Sequence, residues 1–386
     1  MKLKRILLTA AMVATASAAM ADPQGVYDDK IVIGTHTDLS GPLAIWGVPA
    51  TNGLKMRIEE ANATGGVHGR KIELVVEDTQ YQVPLAVRAT NKMVSQDKIF
   101  AMLMGVGTPG NMASMQILDK KGIPNLFPLT AAASMVEPLS PLHFMYFTSY
   151  QNQARGAVKY FAAQGATKLC LQSVASDYGQ EVSEGVEAAV DELGLEIVIH
   201  GTHKTTETEF AGAATAIKNT DCDVLVLGTT IKDTIAIYAT LRKLGWDKPI
   251  VGNMVAYMPL VAEAGDGVTD GLYLASPFLI ADFEDGDPWR ADFHKRYTEQ
   301  FGEAAAAQAQ LGYNSADLFL EALERAGRDL TVKGLTAALE SIQGYEDKFG
   351  GPSISFGPAK HAGGNALVLV QSRNKGWELI EANLPY

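Results

Sequence analysis

The order in which apolar runs and helical patterns alternate constrains this chain more than any other feature. Lys30–Thr35 reads as a strand, and a helix over Thr51–Ala63 follows and stops at Gly65-Gly66. Lys71–Glu77 is the next strand, and Pro84, suited to a first helical turn, opens the next helix. Phe100–Met104 is a third strand, a helix starts near Pro109, and Pro124–Leu129 closes the series. Several of these runs are apolar on both faces, as parallel strands covered by helices on both sides must be. A second series begins after Ser149–Asn152. It holds a helix over Ala154–Gln164, a strand over Leu169–Val174 and a helix with Val182, Val186, Ala189, Val190 and Leu193 on one face. Strand Glu196–His200, helix Glu209–Lys218, strand Val224–Leu227, helix Ile231–Leu244 and strand Ile250–Val251 complete it. The pattern predicts an α/β chain with two doubly wound units in tandem.

Beyond Gly271 the order changes. Leu272–Ser276 is a strand, and three helices follow within Pro288–Ser341. A Gly-rich segment, Phe349–Gly364, leads to a strand pair around Ala366–Gln371 and Trp377–Ile380. Periodicity does not assign these late elements to either unit. The length agrees with the pattern, because 386 residues exceed one ordinary core and suit two.

The first 21 residues carry a different signal. Lys2, Lys4 and Arg5 precede an apolar run from Ile6 to about Ala16, and Ala19-Met20-Ala21 forms a small-x-small site ahead of Asp22. This is the pattern of a cleaved secretory signal peptide. The run is shorter than the ~20 apolar residues a membrane span requires. The expected mature protein is free in an extracytoplasmic compartment, the periplasm of a bacterium. Loss of three basic residues with the leader takes the formal charge from −12 to −15. An acidic surface without a basic run argues against nucleic acid and anionic lipid as partners. The two cysteines, Cys170 and Cys222, lie on or beside the strands predicted at Lys168–Val174 and Cys222–Gly228. An exported chain permits a disulfide between them, and two buried small side chains are the alternative.

Gly105-Val106-Gly107-Thr108-Pro109-Gly110 matches the dinucleotide fingerprint G-x-G-x-x-G between a strand and a helix. The fingerprint also needs an acid at the end of the next strand, and Asn125–Thr130 offers none. The backbone remains useful, since amides at a helix start beside the Thr108 hydroxyl suit an anion such as a carboxylate. The seven histidines are scattered, and His200 and His203 read as a strand end meeting solvent. No nucleotide loop, zinc spacing or nucleophile–base pair is present, so neither an enzyme nor a cofactor or metal is expected.

Several residues read in order carry a resemblance. Ser40-Gly41-Pro42 follows the first strand, with Trp46-Gly47 just beyond, and the first helix ends in Asn62-x-x-Gly65-Gly66-Val67-x-Gly69-Arg70. Asp78 follows the second strand, Pro84 opens a helix, and Tyr178-Gly179 follows a strand of the second series. From about Ile31 to about Trp377 this string resembles the leucine/isoleucine/valine-binding family of periplasmic solute-binding proteins, the receptors of ABC importers. The resemblance implies two Rossmann-like doubly wound lobes joined by a three-segment hinge, the type I periplasmic binding protein fold. It places lobe one at 28–146 and 277–349, and lobe two at 147–276 and 350–386. A ligand would bind between the lobes, which close on it as a hinge.

By the same resemblance the ligand carboxylate meets Gly107 and Thr108 after the third strand, and Leu129, Thr130 and Ala131 after the fourth. Aromatic contacts fall on Trp46 and Tyr178. Thr230 stands where an aromatic contact is common. Met254 stands where amino-acid binders carry the acid that neutralises the ligand ammonium, so either another acid reaches in or the ligand has no ammonium. The expected function is capture of a small carboxylate-bearing solute, either a branched-chain or hydrophobic amino acid or an ammonium-free aromatic or aliphatic acid. The expected partner is an inner-membrane ABC permease, and the expected state is a monomer. A ligand sensor docking on a signalling receptor is the alternative.

Overall fold

The computed structural model describes residues 23–386; the leader and its cleavage site lie outside the described residues. The first series forms strand β1 (Lys30–Thr37), helix α1 (Ala44–Ala63), β2 (Lys71–Asp78), α2 (Val83–Lys92), β3 (Ala101–Leu103), α3 (Thr108–Asp119), β4 (Asn125–Leu126) and β5 (His143–Phe144). Its strands make a parallel sheet in the order β2-β1-β3-β4-β5. The second series forms α4 (Tyr150–Ala163), β6 (Lys168–Val174), α5 (Asp177–Leu193), β7 (Glu196–His203), α6 (Ala211–Lys218), β8 (Val224–Gly228), α7 (Ile231–Lys243), β9 (Ile250–Asn253), α8 (Pro259–Ala262) and β10 (Tyr273–Ser276). Helices α9 (Pro288–Phe301), α10 (Ala307–Ala326) and α11 (Val332–Glu340) precede β11 (Val368–Arg373) and β12 (Gly376–Glu381). The second sheet runs β12-β11-β10-β9-β8-β6-β7, parallel from β7 to β10 and antiparallel where β11 and β12 join. The molecule is thus α/β, with two lobes of largely parallel strands.

The differences from the sequence expectation have local causes. α1 starts at Ala44 rather than Thr51, because the Asp38 carboxylate takes the amides of Gly41 at 2.5 Å and Leu43 at 2.7 Å and turns the chain early. Trp46 therefore lies in the first turn of α1 and not in a loop. β3 ends at Leu103 because Met104 adopts φ 58°, and β4 ends at Leu126 because Phe127 adopts φ 50°. Such left-handed residues cannot continue a ladder. β5, two residues long, carries no pattern to read.

The late elements divide. α10 crosses α1 so closely that a Cβ on Gly53 would meet the Ala309 carbonyl oxygen at 1.9 Å, and one on Gly312 the Ala50 oxygen at 2.0 Å. β11 and β12 instead extend the second sheet. The chain stays on the first lobe longer than the expected boundary at 349/350, because Phe356 packs on Phe127 and Phe144, and His361 stacks on Phe144 at 3.9 Å. Cys170 on β6 and Cys222 before β8 form a disulfide with their Cα atoms 5.7 Å apart. Among the described residues no helix is long and apolar enough to cross a membrane.

Candidate ligand-binding site

The carboxyl ends of the parallel strands in both sheets face one cavity, of about 470 Å³ with its mouth included. Seven of the nine expected residues line it: Trp46, Gly107, Thr108 and Leu129 from one side, Tyr178, Thr230 and Met254 from the other. Thr130 and Ala131 stand behind that wall. Leu43, Tyr81, Val106, Tyr150 and Val255 complete the lining and were not anticipated from sequence.

On the first lobe the loop after β3 is held by the Asn111 amide, which donates to the Gly105 and Gly107 carbonyls at 2.8 Å each. Gly107 has φ 85° and caps α3. A Cβ there would meet the Tyr81 ring at 2.3 Å, so this glycine admits Tyr81 to the cavity. The Thr108 hydroxyl lies 2.7 Å from the Thr130 hydroxyl, which in turn accepts the Ala132 amide at 3.3 Å. Thr108 thus presents a hydroxyl fixed from behind at the start of a twelve-residue helix. Burial pushes the Tyr150 phenol up to about 12, opposed by hydrogen bonds toward Thr130 and Ala131. Trp46 is 5% exposed, and its indole N–H is buried with no acceptor among the described residues. A buried donor without an acceptor is costly, and a ligand oxygen would satisfy it.

On the second lobe the Tyr178 hydroxyl donates to the Thr229 carbonyl at 3.2 Å and meets the Asn253 amide. Its polar end is therefore committed, and its ring stands edge-on to Tyr150 with centroids 4.9 Å apart. The Met254 amide donates to Gln153 Oε1 at 3.2 Å, which fixes the turn that carries the thioether to the cavity. Thr230 donates its hydroxyl proton to Asp233 Oδ2 at 2.7 Å. His203 is a correction: it is buried rather than at a solvent-facing strand end, and it contacts the same Asp233 oxygen at 3.2 Å. No Asp or Glu lines the cavity among the described residues. Nor do three or more His, Cys, Asp or Glu among them gather to hold a metal.

Besides Tyr150, whose amide donates to the Ala131 carbonyl at 2.7 Å, a second residue bridges the lobes beside the cavity. Glu181 of α5 accepts the Ala133 amide at 2.9 Å and the Ser134 amide at 3.0 Å. Neither Glu181 nor Tyr81 had a readable signal. Tyr81 follows Gln80 with both residues at positive φ, an uncommon backbone for side chains of this size.

A sequence model of the periplasmic binding protein family matches residues 30–376. The Leu/Ile/Val-binding protein homolog 7 of Brucella suis biovar 1 is 26% identical over 373 residues, covering 91% of this chain and 88% of the relative. The fatty acid ABC transporter substrate-binding protein of Thermomonospora curvata superposes with a TM-score of 0.83 at 23% identity, covering 95% of each chain. A branched chain amino acid ABC transporter protein of Thermus thermophilus, solved with bound valine, gives 0.82 at 20% identity over 93% of this chain and 97% of its own.

Proposed function

The chain belongs to the periplasmic binding protein family, and from that premise we propose that it captures a small, ammonium-free carboxylic acid outside the cytoplasm and delivers it to an ABC permease. Members of this family bind solutes and are not enzymes. In this reading the leader is removed on export, lobe one takes 28–146 and 277–349, and lobe two takes 147–276 and 350–386. The start of that last segment leans back on lobe one through Phe356 and His361 before β11 and β12 join lobe two. The two lobes close on the ligand as a hinge. Thr108 and the α3 amides hold the carboxylate, with Thr130 and Ala131 supporting them from behind. Trp46 donates its free indole N–H to the acid or to a second oxygen. Tyr178, Tyr150, Tyr81, Leu129 and Met254 enclose an apolar or aromatic body.

The observation that carries this reading is the character of the lining. It offers hydroxyl and N–H donors on the first lobe and no carboxylate at all among the described residues. A desolvated ammonium needs a charge partner or several acceptors, and its absence would cost several kcal/mol. The apolar Met254 stands where that partner would be needed. The architecture itself suits either chemistry, since one neighbour is a fatty acid transporter's binding protein and another holds valine.

Calorimetry with leucine, phenylalanine and their deamino analogues tests the proposal. The deamino acids are expected to bind at least tenfold tighter. Met254→Glu should weaken them by placing a charge in the desolvated cavity. Tighter binding of leucine or phenylalanine by the unaltered protein would overturn the reading.

A further inference from the structure

The second-lobe wall of the cavity holds a buried polar relay that the carboxylate reading does not use. Gln172 donates its side-chain amide to His203 Nδ1 at 3.0 Å. The ring proton of His203 therefore sits on Nε2, which donates to Asp233 Oδ2 at 3.2 Å. Thr230 donates its hydroxyl proton to that same oxygen at 2.7 Å. His203 and Asp233 are 8% and 7% exposed, so this geometry is not a chance arrangement of surface rotamers.

The relay fixes what Thr230 shows to a ligand. A threonine hydroxyl has one proton, and Asp233 holds it. Only lone pairs remain for the cavity that Thr230 lines. Helix α7 does not use them, because Thr230 is its N-cap residue but accepts no helix amide. An N-cap threonine ordinarily does accept one. Thr230 is thus an oriented acceptor, made stronger by the carboxylate behind it.

We propose that the ligand is a hydroxylated carboxylic acid whose hydroxyl donates to Thr230 Oγ1, with Asp233 and His203 as positioning residues. The inference rests on the ammonium-free reading above. A hydroxyl matches the site because it has one proton to give and no charge to desolvate. An ammonium would bring three N–H groups and a full charge to a single neutral acceptor, while Asp233 stands behind Thr230 and outside the lining.

The probes are leucine, its hydroxyl analogue leucic acid and its deamino analogue isocaproate, with benzoate and para-hydroxybenzoate as a pair that places the hydroxyl farther from the acid. Calorimetry should show one hydroxylated member bound about ten- to a hundredfold tighter than its deoxy partner. Thr230→Val should bring that ratio close to one, Thr230→Ser should retain it, and Asp233→Asn should lower it by freeing the hydroxyl to rotate. The ratio is the readout because a general structural loss weakens both members together. Equal affinities within both pairs would overturn the inference and leave the ammonium-free reading standing. A hydroxyl preference that survives Thr230→Val also overturns it. Leucine bound tighter than both its analogues overturns the ammonium-free reading itself, and binding of none of the probes overturns both.

Discussion

Thr108 concentrates the polar chemistry of the first lobe into one hydroxyl and the helix amides beside it. Its Oγ1 is held 2.7 Å from Thr130, so Thr108→Val removes an oriented hydrogen bond without changing side-chain shape. The ligand acid should bind about 1.5–3 kcal/mol more weakly, read by calorimetry, and an unchanged affinity would remove Thr108 from the site. His36 makes a second residue-scale prediction, about stability. It is fully buried in β1 with neither ring nitrogen partnered among the described residues, and burial pushes its pKa from 6.5 down to about 4. Between these values the unfolded chain binds a proton that the folded chain refuses. Stability is therefore complete above pH 6.5 and falls by about 3 kcal/mol as pH drops to 4. Denaturant titrations across that window should show the loss, and His36→Gln should flatten that part of the slope. At this scale Thr108 could be read from its place at a helix start after a glycine motif, whereas Trp46 and Met254 were placed only through the family resemblance. Tyr81 and Tyr150 could be placed by neither route. One reaches the cavity through a left-handed loop, the other from the first turn of a helix expected to begin at Ala154.

Elements were legible where the chain repeats itself and opaque where it is short. β1, β2, β6 and β8 are runs of five to eight residues, long enough for their apolar character to be seen. β5 has two residues and exists only because β4 offers it a partner, while the two residues of β4 were read only as part of the longer Pro124–Leu129 run. The crossing of α1 and α10 shows a tertiary demand that no helical pattern reveals. Gly53 and Gly312 are poor helix formers, yet each lets the opposite backbone approach to a distance that a methyl group would forbid. Gly53→Ala should therefore destabilise the first lobe by about 1–3 kcal/mol despite the better helix propensity of alanine. A fall in thermal midpoint is the expected result. A rise would mean the helices separate without cost and that propensity decides. The disulfide tells a similar story, since its two cysteines were visible in sequence but their pairing was set by β6 lying beside β8.

For the whole molecule the question is what holds the lobes together around the cavity, and Glu181 gives a specific answer. The residue belongs to α5 on the second lobe, while the amides it accepts belong to Ala133 and Ser134, which open the short turn after β4 on the first. Both carboxylate oxygens are engaged, and the residue is 6% exposed. Separating the lobes must break both bonds and rehydrate their partners, a difference of about 1.5–3 kcal/mol for charge-assisted hydrogen bonds. A ligand held by both lobes draws its affinity from the closed population, so whatever favours closure multiplies that affinity. Glu181 does not line the cavity, so a substitution there acts through closure alone. Glu181→Gln keeps the shape but leaves one acceptor oxygen and turns an N–H toward a backbone N–H. It should weaken the ligand acid about ten- to a hundredfold. Small-angle scattering should show a larger unliganded radius of gyration for the variant, while the two proteins converge at ligand saturation. Identical unliganded profiles with unchanged affinity would mean that closure is governed by the ligand and the hinge, with the Glu181 bridge merely following.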